Sequence, residues 1–146
     1  MTLLFRSLIL LLLLACPRLL FASELHLDIG NTEYNINDQI RMSVFISTDQ
    51  PINAIDGSIH YPKHLLDFIE IREGNTSVPF WIEAPNLSEV GKIKFSGINP
   101  GTLKGENRYL FSAYFRAIDA GVSEVQTHSA NAYLSDGLGT RTYIAT

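Results

Sequence analysis

A pair of alternating segments joined by a short proline-containing turn, in residues 51–72, constrains the fold of this chain most strongly. In the first segment apolar and polar side chains alternate, which is the pattern of a β-strand with one buried and one exposed face. Ile55, Ile59 and Tyr61 lie on the predicted buried face. The second segment, residues 66–71, is mostly apolar, as expected of a strand that is covered more deeply. Two sheets stacked face to face are therefore the predicted architecture.

Similar segments recur along the chain, separated by Asn, Asp, Gly and Pro residues that favour turns. The ten candidate strands are residues 25–29, 40–47, 54–61, 66–72, 80–83, 92–96, 109–118, 122–128, 132–134 and 142–144. No segment shows a helical repeat with capping residues. The pattern predicts an all-β fold, namely a two-sheet antiparallel β-sandwich of about nine strands of the jelly-roll type.

The alternation also predicts the core. The inward positions are Leu25, Leu27, Ile40, Met42, Val44, Ile46, Ile55, Ile59, Tyr61, Ile93, Phe95, Phe111, Ala113, Phe115 and Ala117. In residues 111–117 small side chains alternate with aromatic ones, an arrangement that allows facing layers to interdigitate. A substitution of Phe115 by Ala is expected to be strongly destabilising.

Residues 1–22 are predicted to be a secretory signal peptide. Arg6 precedes an apolar run that is shorter than the roughly 20 residues of a membrane-spanning helix, and Ala22 offers a small residue at the cleavage position. Residues 23–146 then form a single exported domain, either secreted or at the cell surface. In the alternative interpretation Cys16 is lipidated and anchors the chain as a lipoprotein. Cys16 is the only cysteine, so ordinary cleavage leaves a domain without disulfides.

The charge balance argues against nucleic acid as a partner. After removal of residues 1–22, nine Lys and Arg and fifteen Asp and Glu remain, which gives a net charge of −6. Binding to phosphates requires clustered cations, and the sequence has no such cluster.

The sequence also gives no support for catalysis. Glu70 and Glu73 are three residues apart in a strand and turn, so they point to opposite faces. The histidines are scattered, at His26, His60, His64 and His128. There is no nucleophile elbow and no phosphate-binding glycine loop, and we therefore predict no enzyme activity and no cofactor. Residues 136–140 could offer oxygens to calcium, but a single carboxylate favours a glycine-supported turn.

Residues 51–72 resemble the cohesin family, whose modules have a strand, an aromatic residue followed by Pro, a Leu-Leu-acidic sequence and an Ile-x-Ile strand. The resemblance continues through residues 79–86, 91–101, 110–121 and 135–140, and so covers nearly the whole chain after residue 24. It implies a β-sandwich related to carbohydrate-binding modules. It also implies a non-catalytic recognition module that is associated with extracellular scaffolding and polysaccharide degradation.

Two polar rows are the predicted contact surface. Asp56, Ser58 and His60 lie on the outward side of one strand, and Lys92, Lys94 and Ser96 lie on another. In cohesins that bind dockerins, the outward residues of these strands form the contact face, so the resemblance implies a dockerin-like protein partner. Asp56 matches the carboxylate of the family's Asn-x-Asp pair, whereas Ala54 stands where the family has Asn. A solvated polar face without a partner is the alternative.

Aromatic residues suggest a second kind of ligand. Trp81 is the only tryptophan and alternates with Phe80, so one of the two must point outward. An exposed ring of Trp81, together with Tyr114, could stack on the sugars of a polysaccharide, although a packing role for Trp81 is favoured. A third interpretation is a purely structural surface module.

Overall fold

The computed structural model describes residues 23–31, 33–122 and 124–145. It contains the strands β1 (Ser23–Asp28), β2 (Gln39–His60), β3 (Leu66–Arg72), β4 (Phe80–Glu89), β5 (Lys92–Ala117), β6 (Gln126–Leu134), β7 (Arg141–Thr142) and β8 (Ile144–Ala145). Nowhere in these ranges is there a helix with the length and hydrophobicity of a membrane span. The predicted signal peptide and the alternative lipid anchor at Cys16 lie outside the described residues.

Two long antiparallel strands, β2 and β5, connect the two layers of the molecule. Register shifts between Val44 and Ala54 divide their pairing into two parts. In the first layer, residues 39–48 of β2 and 105–116 of β5 pair with each other and with β1 and β3. In the second layer, residues 54–60 of β2 and 92–98 of β5 pair with each other and with β6 and β4. The predicted β-sandwich is confirmed.

Each long strand replaces two strands of the sequence-based prediction. Residues 49–51 were expected to form a turn, but here the backbone remains extended through a bulge. Thr48 pairs with Gly105 and Ile52 with Leu103, so Pro51 has no partner in the β2–β5 ladder. A proline is tolerated at such a position because no ladder hydrogen bond is required of its nitrogen. One further difference is the β1–β8 pair, which is parallel.

The core prediction is confirmed at every position except Leu27, which is only partly buried. The prediction missed the buried residues Ile52, Leu65, Val78, Leu103, Leu110, Ala132 and Ile144. Leu110 was missed because Val44 pairs with Phe111 while Phe45 pairs with Tyr109, so that Leu110 is the extra residue of a bulge. A bulge breaks the two-residue period, and both Leu110 and Phe111 are fully buried.

Aromatic contacts hold the two layers together. Phe111 of the first layer meets Phe95 of the second layer edge-on, with 5.3 Å between ring centroids. The ring centroid of Phe115 lies 4.8 Å from that of Tyr61 and 6.1 Å from that of Phe68. The alternation of large and small residues in β5 therefore has the predicted function of filling the space between the layers.

Candidate functional site

The outer surface of the second layer brings together five of the seven predicted binding residues. Asp56 pairs with Ser96, Ser58 with Lys94 and His60 with Lys92. Directly paired residues of neighbouring strands point to the same side of a sheet. The two polar rows predicted from the sequence therefore lie side by side on one surface. Ser58 is the exception among the predicted binding residues, because it is buried and its hydroxyl donates a hydrogen bond to the His128 carbonyl oxygen at 2.8 Å.

This surface, which we call the second-layer face, consists of four cross-strand rows over β6, β2, β5 and β4. The rows are Tyr133, Ala54, Ile98 and Phe80; Asn131, Asp56, Ser96 and Glu83; His128, Ser58, Lys94 and Asn86; and Gln126, His60, Lys92 and Glu89. The face thus changes from apolar at one end to polar and charged at the other.

The apolar end exposes large hydrophobic side chains. The exposed fraction is 57% for Phe80, 73% for Ile82 and 37% for Ile98. Ile82 projects outward because it is two residues from Phe80 in β4 and so lies on the same side of the strand, opposite to Trp81. Sequence reasoning did not identify Ile82 and Ile98, and it left open whether Phe80 or Trp81 points outward. Clustered exposed apolar side chains of this kind mark interaction surfaces.

Asp56 is held by its own sheet. The Asn131 side-chain amide donates a hydrogen bond to Asp56 Oδ1 at 2.7 Å, and the Tyr133 hydroxyl donates one to Oδ2 at 2.9 Å. The hydrogen bond to Asp56, together with burial, raises the pKa of Tyr133. A shallow depression of about 210 Å³ lies beside Asp56 and is also lined by Glu83 and Lys94. The Asp56 carboxylate is therefore fixed at the rim of a small concave feature.

At the polar end, the imidazoles of His60 and His128 are stacked, with 4.9 Å between ring centroids. Burial lowers the pKa of His60, and the charges of His128 and Lys92 lower it further, against a smaller opposing effect of Glu89. Lys92 Nζ lies 3.5 Å from Glu89 Oε1. Lys94 is exposed, whereas Lys92 is half-buried, so Lys94 is the lysine of this face that is more open to a partner.

Trp81 and Tyr114 do not belong to this surface. Trp81 is partly buried against the core. Its ring packs edge-on against that of Phe111, with 6.3 Å between the ring centroids. Tyr114 pairs with Arg41 in the first layer, and the Arg72 guanidinium lies over its ring at 4.7 Å. The two rings therefore do not form a common stacking surface, and the accessible side of Tyr114 is shared with a cation.

The segment considered for calcium forms a turn. The Asp136 carboxylate accepts a hydrogen bond from the Leu138 amide at 2.8 Å. A hydrogen bond from the Thr140 side chain, followed by that of the Leu138 amide, lowers the pKa of Asp136. Gly137 and Gly139 adopt φ angles of 73° and 70°. In the described ranges, no three His, Cys, Asp or Glu side chains converge as a metal site would require.

Comparisons with known proteins find relatives only among solved structures, since no family model and no curated protein matches. A cohesin module of a family 33 glycoside hydrolase from Clostridium perfringens is 14% identical, with a TM-score of 0.67 over 85% of this chain and 90% of that chain. The sixth cohesin of scaffoldin B from Acetivibrio cellulolyticus, in complex with a dockerin, is 15% identical, with a TM-score of 0.69 over 85% of this chain and 93% of that chain.

A non-cellulosomal cohesin from the archaeon Archaeoglobus fulgidus is also similar, at 20% identity and a TM-score of 0.66 over 84% of this chain and 86% of that chain. Structural similarity at such low sequence identity shows the fold but does not identify the ligand. The chain therefore has a cohesin-like fold, as its sequence resemblance predicted.

Proposed function

We propose that this protein is a non-catalytic recognition module that binds a protein partner through the second-layer face. The observation that supports this function best is the composition of that face. Exposed Phe80, Ile82 and Ile98 share this face with Asp56, which is held by hydrogen bonds, and with the exposed Lys94. Burial of an apolar cluster provides binding energy, while a surrounding polar rim gives orientation and specificity.

The partner that we propose is a dockerin-like protein module. Support comes from the cohesin fold and from the Acetivibrio cellulolyticus cohesin, whose structure contains a dockerin. The predicted signal peptide supports a secreted or cell-surface location, with lipidation at Cys16 as the alternative anchor. A role in extracellular polysaccharide degradation is consistent with the similar cohesin module of a glycoside hydrolase.

The charges of the face predict the partner's surface. Lys94 is exposed, whereas Lys92 is close to Glu89 of the same face. A complementary partner therefore places a carboxylate opposite Lys94 and apolar side chains opposite Phe80 and Ile98. Asp56 contributes mainly by holding Tyr133 and Asn131 in position.

The test measures binding of dockerin-like modules encoded in the same genome to the purified domain by isothermal titration calorimetry. Ile98→Asp and Lys94→Glu should each weaken binding at least about tenfold, because one buries a charge in the apolar contact and the other reverses the rim charge. These variants are preferable to Asp56→Arg, which would also break internal hydrogen bonds. Tyr114→Ala is the control, since Tyr114 lies in the other layer.

Polysaccharide binding is the competing outcome. Retention on insoluble polysaccharide that is lost in Tyr114→Ala and unchanged in Ile98→Asp would contradict the proposed face and favour aromatic stacking. Trp81→Ala is unsuitable as a probe because Trp81 packs against the core. If none of these variants changes any binding, the second-layer face is not the recognition surface.

A further inference from the structure

Two imidazoles lie side by side at the polar end of the second-layer face. Ser58 of β2 pairs with His128 of β6, and His60 pairs with Gln126, so the two histidines are diagonal neighbours on the same side of the sheet. Their ring centroids are 4.9 Å apart, and the ring planes are inclined by 30°. Both residues are exposed. The strand pairing thus brings two nitrogen ligands together at a surface that another molecule can reach.

The separation of the two rings is that of two histidines bound to one metal ion. Zinc is held tetrahedrally, with about 2.0–2.1 Å between the ion and each imidazole nitrogen. Two rings bound in this way have centroids about 5 Å apart, and the centroids here are 4.9 Å apart. Exposed side chains change rotamer within picoseconds to nanoseconds, so one nitrogen of each ring can turn towards a common ion. The backbone therefore already holds the two residues at the spacing that a zinc ion needs.

The surroundings of the pair leave it open to a cation. Neither imidazole forms a hydrogen bond with another residue in the described ranges. Lys92 Nζ lies 3.5 Å from Glu89 Oε1. The side-chain amide of Gln126 donates a hydrogen bond to Glu124 Oε2 at 3.4 Å. Two carboxylates therefore offset the positive charge of the lysines beside the pair.

One chain supplies only half of a tetrahedral site. In the part of the chain that the structure describes, no third His, Cys, Asp or Glu converges with the pair. The two remaining positions on the ion must therefore be filled from solvent or from another molecule. An identical pair on a second copy supplies two further imidazoles, and a twofold axis through the ion places all four around it. Four imidazole nitrogens in a tetrahedron are a ligand set that suits zinc.

We propose that His60 and His128 bind Zn²⁺ together with the same two residues of a second copy, which produces a zinc-linked dimer. The ion is the main connection between the copies, so the dimer forms only when zinc is present. Because the pair lies on the second-layer face, the dimer would cover the polar end of that face and exclude a partner from it. This last consequence, unlike the site itself, rests on the proposed function.

The test titrates zinc chloride into the purified protein without a polyhistidine tag. Sedimentation velocity should show a doubling of mass that is complete at one zinc ion for every two chains, is reversed by EDTA and is not produced by magnesium chloride. In proton NMR spectra the ring signals of His60 and His128 should move, whereas those of His26 should not. His60→Gln and His128→Gln should each weaken zinc binding at least about tenfold in calorimetry and abolish the dimer.

The matched control is His26→Gln, which removes an imidazole from the first layer and should dimerise with zinc as the unaltered protein does. Ile98→Asp should also dimerise normally, so a failure of the proposed partner face and a failure of the zinc site remain distinguishable. An unchanged mass at saturating zinc would overturn the proposal, including the case in which each chain binds one ion of its own. A dimer that persists in both His60→Gln and His128→Gln, or that is lost equally in His26→Gln, would also overturn it.

Discussion

At the scale of single residues, the stacked pair His60 and His128 makes a local pKa testable. Burial and the neighbouring His128 and Lys92 lower the pKa of His60 from its ordinary value of 6.5. His128→Gln removes one of these causes, so we expect the His60 pKa to rise towards that value in a proton NMR titration. His26→Gln in the first layer is the control and should leave the His60 titration unchanged. A lower His60 pKa in His128→Gln would contradict the assignment.

The same shift fixes the sign of a stability effect. Because the folded-state pKa of His60 is lowered, the unfolded chain binds the proton first as the pH falls. The contribution of His60 to the free energy of unfolding is therefore fully present above pH 6.5. It decreases as the pH falls from 6.5 through the lower pKa that His60 has in the folded state. Urea unfolding across this window should depend less on pH in His60→Gln than in the unaltered protein. An equal or steeper pH dependence in the variant would exclude His60 as the source.

Phe115 tests the core at the same scale. It is fully buried and contacts Tyr61 and Phe68. Phe115→Ala should lower the free energy of unfolding by about 3–5 kcal/mol, through lost burial and the cavity left behind. Phe80→Ala is the matched control, because Phe80 is 57% exposed and should change stability by less than about 0.5 kcal/mol. Urea denaturation of the three proteins measures both values, and similar losses would contradict the packing described here.

At the scale of the elements, Gly97 determines how closely β4 approaches β5. A Cβ added at Gly97 would lie 2.4 Å from Val78 Cγ1 and 2.7 Å from Trp81 Cε3. Gly97→Ala must therefore displace a β-branched core residue and an indole ring, at a cost of about 1–3 kcal/mol. We expect a lower melting temperature together with a shifted Trp81 emission maximum. Gly101→Ala is the control, because only the flexible Asn99 side chain lies near its added Cβ. An equal decrease in melting temperature in both variants would refute the steric argument.

The same scale shows what the sequence could and could not predict. The alternation of side chains located β3 with its bounds and nearly all of the core. It could not show that residues 49–51 and 97–108 continue as strands, because bulges remove the two-residue period on which the method depends. The parallel β1–β8 pair was also inaccessible, since a two-residue strand has too short a pattern to define its partner.

At the scale of the whole molecule, the candidate site was predictable in part. The sequence placed Asp56, Ser58 and His60 outward on one strand and Lys92 and Lys94 on another, and cross-strand pairing joins them. The apolar end of the face was not predicted, because alternation alone does not decide whether Trp81 or the pair Phe80 and Ile82 points outward, and Ile98 lies beyond the predicted strand of residues 92–96. Tyr114 could not be assigned to a layer without knowing that β5 passes through both.

That passage of β2 and β5 through both layers also predicts how the molecule unfolds. Arg41 pairs with Tyr114 in the first layer and Ser58 with Lys94 in the second, on the same two strands. Neither layer can separate without breaking strands of the other, so unfolding should be a single cooperative transition. Trp81 fluorescence in the second layer and amide exchange at Met42 in the first should give the same free energy of unfolding. Phe115→Ala, although it lies in the first layer, should lower both values equally, whereas a change at Met42 alone would mean that the layers unfold independently.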